Sequence, residues 1–198
     1  MSTHCHGYYC DGSVSELDAS RSGDIETLES TFNESRRSDE HYQHCADEAV
    51  RGDQLKVLQW MHAKGIDIGD NWFEPAIEGG HCEIVEWAAG IINIEDWDAW
   101  ETAIYYEQTD VLECLQRIDY PIDEAPTLTA AFNGSRKCLE WLISAGYEID
   151  PAACKSKLQR GCEQAVANRW PGAKVFKKFA DCAEYIDSLA TRIASTLQ

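Results

Sequence analysis

Residues 49–68 read AVRGDQLKVLQWMHAKGIDI, and the pattern in this stretch returns down the chain. Counting from Leu58, an apolar residue recurs every 27 positions, at Val85, Leu112 and Leu139, with Trp60, Trp87, Cys114 and Trp141 recurring beside it. A fixed period of about 20 to 50 residues marks one supersecondary unit stacked on copies of itself. Ala49, Ala76, Ala103 and Ala130 open the unit, and Leu55, Cys82, Thr109 and Arg136 sit six residues further on. Gly65 and Gly146 close the first and last of these units, where the middle two carry Ile92 and Asp119. A fainter copy precedes them at an offset of 30, through Ala19, Gly23, Ile25, Thr27 and Leu28, and brings the degenerate units to five.

Each unit divides into two short helical segments. In LKVLQWM (55–61) the apolar residues fall at i, i+3 and i+6, on one helix face, with Lys56 and Gln59 opposite. Between the segments stand Gly52-Asp53 or Gly79-Gly80, which supply a permissive backbone and a polar cap. The expected product is an antiparallel helix pair.

AVRGDQLKVLQWMHAKGIDI, AIEGGHCEIVEWAAG and AAFNGSRKCLEWLISAGYEID resemble ankyrin repeats in a divergent short form. The usual ankyrin unit is about 33 residues and opens its first helix with T-P-L-H-x-A; here Glu74-Pro75-Ala76 or Thr127-Leu128-Thr129-Ala130 stands in that place. A 27-residue spacing with a Trp in the second helix is similar to ankyrin-type arrays of large DNA viruses and some protists. The resemblance implies an all-α, ankyrin-like solenoid with short loops in place of the projecting β-hairpin. It also implies an adaptor that captures other proteins, sometimes through an attached F-box; no F-box-like segment is read in these residues. On this reading residues 1–14 are an N-terminal segment free to be flexible, 15–155 hold five repeats, and 156–198 form a helical C-terminal cap.

The formal charge is −18, unevenly spread. Residues 1–150 hold 9 of the 17 Lys and Arg and 31 of the 35 Asp and Glu, so the array is at −22 and the remainder at +4. Phosphate binding needs clustered cations to release counterions, so nucleic acid is not expected on the array and a basic protein partner is. The plainer alternative is that acidic surface only keeps a solenoid soluble. No apolar run approaches the roughly 20 residues of a membrane helix, and MSTHCHGYYCDGS carries no signal or transit character. Nine cysteines, with Cys82, Cys114 and Cys138 at core-facing phases, fit an intracellular, reducing compartment, cytoplasm or nucleus.

After Pro151 the chain reads as a helix broken at Pro171-Gly172, then as a longer helix. In the latter, Phe176, Phe179, Cys182, Ala183, Ile186, Leu189, Ala190 and Ile193 make one apolar stripe. It suits a cap on the last repeat, with self-association through this helix as the alternative.

His4, Cys5, His6 and Cys10 precede a second cluster, His41, His44 and Cys45. Cys5, Cys10, His41 and Cys45 make a four-ligand set if the terminus folds back, yet the spacing matches no finger or ribbon pattern. No metal and no cofactor is therefore expected, and a zinc module stands as a third reading. Trp60, Trp87 and Trp141 read as a core ladder. Trp72, Phe73, Trp97 and Trp100, flanked by Asp70, Glu74, Asp96, Asp98 and Glu101, lie where one unit joins the next and read as partner-binding anchors with an acidic rim. No nucleophile elbow, phosphate loop, zincin or dinucleotide motif occurs, so no enzymatic activity is expected. The sequence therefore reads as a protein-interaction module, with a permanent subunit of a large assembly as the alternative.

Overall fold

The 27-residue period is the spacing of helix pairs. The computed structural model describes residues 14–31, 38–91, 98–122, 125–168 and 173–196, and these are helices and turns with no strand among them. The chain divides into two compact units, Met1–Ile92 and Asn93–Gln198. The first unit carries α1 (Val14–Ser22), α2 (Ile25–Thr31), α3 (Asp39–Arg51), α4 (Leu55–Ala63), α5 (Phe73–Gly79) and α6 (Cys82–Ala89). The second carries α7 (Ala99–Tyr105), α8 (Thr109–Arg117), α9 (Pro126–Phe132), α10 (Arg136–Ser144), α11 (Pro151–Ala167) and α12 (Ala173–Thr196). The helices α4, α6, α8 and α10 begin at Leu55, Cys82, Thr109 and Arg136, in strict 27-residue register.

One turn joins each pair, and it explains the recurring alanine. The carbonyl of Ala49 accepts the N–H of Gln54, and Ala76, Ala103 and Ala130 accept those of His81, Gln108 and Ser135. The residue between, Asp53, Gly80, Glu107 or Gly134, is left-handed with φ of 54°, 74°, 58° or 66°. This is the paired-bond C-terminal cap, which satisfies carbonyls that the helix end leaves open. All four alanines are fully buried.

Helices of seven to nine residues are far below the roughly 12 to 15 needed for independent stability, so packing must hold them. The first helices lie side by side, α1 on α3 and α3 on α5 in one unit, α7 on α9 and α9 on α11 in the other. Leu58, Val85, Leu112 and Leu139 on the second helices have no exposed surface. Each contributes roughly 1.5–3 kcal/mol by leaving water. Trp60, Trp87 and Trp141 are half-buried. Trp87 stacks on Trp72 at 5.8 Å and Trp141 tilts against Trp100 at 6.4 Å, so the tryptophans couple the second helix to the first-helix side.

The C-terminal helices begin at Pro151, where the sequence reads a helix. Asp150 caps α11 by accepting the N–H groups of Ala152 and Ala153, and Pro151 takes the first helical position. Helix α12 packs on α11 and α10 through Phe179, Cys182, Ile186 and Leu189. Phe176 and Ile193, expected in the same stripe, are 50% and 40% exposed. At 24 residues α12 outruns the 17-residue α11 and the nine-residue α10, which cover its middle. No helix among the described residues is long and apolar enough to cross a membrane.

Candidate interaction groove

Helix α7 starts where it does because the Asp98 carboxylate accepts the N–H of Glu101 at 3.1 Å. One residue into that helix, Trp100 turns inward and is only 4% exposed. Its indole Nε1 donates to the carbonyl of Tyr120 at 3.3 Å, which ties the segment after α8 to α7. Thr127, one period later, does the same with its hydroxyl on the carbonyl of Glu148 at 3.1 Å. Trp100 also forms a three-ring cluster with Trp141 and Tyr147, whose ring centroid lies 6.0 Å away.

Between α7, the tied segment and the start of α9 lies a groove of about 240 Å³. Asp98 and Glu101 stand on it as exposed carboxylates, Trp100 and Ile104 line its apolar depth, and Ile122 borders it with 39% of its surface in water. The Tyr120 phenol is pushed up to about 12, first by burial and then by the negative charge of Asp98. An apolar depth beside two carboxylates suits a side chain with a long hydrocarbon stem and a cationic head, as in Lys or Arg.

Of the partner-binding residues read from sequence, Asp98 and Trp100 meet in this groove, with Trp100 as its buried lining and not a projecting anchor. Asp96 and Trp97 lie outside the described residues. Trp72 and Phe73 belong to the first unit and are 1% and 0% exposed, so neither reaches a partner there. The indole of Trp72 donates to the carbonyl of Gly69 at 2.9 Å. The physical reason for the correction is phase: Phe73 and Trp100 occupy the same repeat position as Ala46, Thr127 and Cys154, all buried. Ile122 was not singled out from sequence, although it shares a phase with Ile68, which is buried.

His41 and Cys45 come together one turn apart on α3, with Cys45 Sγ 3.5 Å from His41 Nε2. The same nitrogen lies 2.7 Å from the buried carboxylate of Glu16 on α1. Cys5 and Cys10 lie outside the described residues, among which no group of three or more His, Cys, Asp or Glu is placed to hold a metal ion.

No disulfide joins the described cysteines to one another. Burial pushes Cys138 and Cys182 up to about 12 and Cys154 to about 11, so they stay protonated. Cys138 and Cys154 sit within hydrogen-bond range of the carbonyls of Ile104 and Thr127. Cys82, expected in the core, is only half-buried at the start of α6.

No family model, no curated protein and no solved structure matches this chain.

Proposed function

We propose that this protein is a non-enzymatic interaction module, an ankyrin-like array of short helix pairs whose acidic surface receives a basic segment of another protein. The observation that carries this reading is the groove at α7 and α9, where Asp98 and Glu101 flank the apolar depth made by Trp100 and Ile104. A Lys or Arg side chain lays its stem on that apolar surface and brings its charge to the carboxylates. The net charge of −18 steers such a partner toward the protein, so the association weakens as salt rises. Short caps and buried tryptophans hold the rim before the partner arrives, which limits the ordering cost of binding. Cys138, Cys154 and Cys182, packed in the core as protonated thiols, support residence in a reducing compartment.

The test is titration of the full chain with a peptide alternating Arg and Leu, followed by calorimetry at low and raised salt. Asp98→Asn combined with Glu101→Gln keeps a side-chain acceptor at the cap and removes both charges. This variant is expected to bind several-fold more weakly, by about 1 kcal/mol or more. Equal affinity for the variant and the original chain at low salt rejects the groove as the docking point.

A further inference from the structure

In a chain of net charge −18, five cationic side chains converge on one groove. Arg136 and Lys137 reach it from the start of α10, and Lys174, Lys177 and Lys178 from the start of α12. The groove encloses about 340 Å³. Two carboxylates also line it, Glu107 and Asp181, and Glu140 pairs with Arg136, which leaves two positive charges unbalanced. Glu107 is engaged by Lys178 at 3.4 Å. Lys137, Lys174 and Lys177 make no ion pair among the described residues.

The helix starts add to this charge. Helices α3, α5, α6, α7 and α8 carry Asp or Glu in their first turns, which complements the positive end of the helix dipole. Helices α10 and α12, like α4, α9 and α11, carry none there, and α10 and α12 place Arg136, Lys137 and Lys174 in that turn. Cations at a helix start oppose the dipole, so two like-charged helix ends face a shared space that Glu107, Asp181 and Glu140 offset only in part. Arg136 is also held in a fixed plane. Its Nε donates to Glu140 at 2.7 Å and its guanidinium lies 5.2 Å from the ring centroid of Tyr185, which leaves the Nη donors for a ligand.

We infer that this groove binds a compact oligophosphate, a small molecule with two or more phosphate groups close together. The two helix starts ask for more than one anionic group, and Lys and Arg supply the charge-assisted hydrogen bonds that phosphate oxygens accept. The acidic character of the rest of the chain argues for compactness. An extended polyanion leaving the groove meets carboxylates, whereas a small ligand keeps its charge within the basic lining. This site is separate from the groove at Asp98 and does not depend on it.

The test is calorimetric titration of the full chain with inorganic tripolyphosphate at low ionic strength. One molecule per chain is expected to bind saturably. Lys137→Gln with Lys177→Gln is expected to weaken binding by about tenfold or more, and Lys174→Gln alone to weaken it less. Lys157→Gln with Arg160→Gln removes the same charge from α11 and is expected to change affinity less than about twofold. Circular dichroism of each variant establishes that the helices persist. Three results overturn the inference: no saturable binding, equal loss in the two double variants, or displacement of tripolyphosphate by a single-stranded oligonucleotide at lower concentration.

Discussion

The carbonyl oxygen of Phe132, at the end of α9, lies so close to the Cα of Gly161 on α11 that a methyl group there would overlap it. The first unit repeats the relation, with Gly52 at the end of α3 against the carbonyl of Arg21 on α1. In both places glycine lets one helix backbone run directly onto its neighbour.

Gly161→Ala therefore tests the packing of α11 on α9. Removing glycine from a helix interior ordinarily gains about 0.5–1 kcal/mol, but the overlap is with backbone and no rotamer relieves it. Overpacking of this kind costs about 1–3 kcal/mol. The expected net result is a lower urea midpoint, and a raised midpoint contradicts the close approach.

Asp119 closes α8 with φ of 53°, at the phase where Gly65 and Gly146 have φ of 70° and 93°. A side chain in this conformation costs roughly 1 kcal/mol. Asp119→Gly is expected to stabilise the protein by about 0.5–1 kcal/mol. Gly146→Ala is expected to cost a similar amount through its backbone alone, because nothing lies within 4 Å of a Cβ placed there. Denaturant unfolding of both variants checks the pair, and shifts of the same sign would refute it.

Leu112→Ala, at a fully buried position on α8, is expected to cost about 2–5 kcal/mol, and Leu112→Asp to abolish cooperative folding by burying an unpaired charge. Trp100→Ala is expected to cost about 3–5 kcal/mol, since it also releases the Tyr120 carbonyl. Thermal unfolding distinguishes the two roles of Trp100: a stable variant that only loses partner binding would make it an anchor after all.

Alkaline pH has a defined sign. The thiols of Cys138 and Cys182 are pushed up to about 12 and Cys154 to about 11, from an ordinary value of 9.0. Between those limits the unfolded chain has released protons that the folded chain still holds. The stability from this source is complete below pH 9 and is lost as pH rises from 9 toward 12. Urea midpoints measured across that window should fall, and fall less steeply in Cys138→Ala with Cys182→Ala.

Phe73 and Trp100 show how far the sequence could be read. Their phase, shared with Ala46, Thr127 and Cys154, was present in the 27-residue register, and that register places all of them inside. Read as members of a connecting segment, the same two aromatics looked like interface anchors. A helix of seven residues has too few turns to show by its own periodicity which face is covered. The neighbouring first helix decides it.

The 27-residue period, the helix pairs and the recurrence of the alanine follow from the sequence alone, because they rest on spacing within a few helical turns. The tertiary structure alone decided that Ile122 borders a groove with Asp98 and Glu101, and that Lys137 meets Lys174 and Lys177. Those residues are joined by the packing of α9 beside α7 and of α12 on α10. Charge carries no periodic signature, so its convergence exists only once helices distant in the chain are in place.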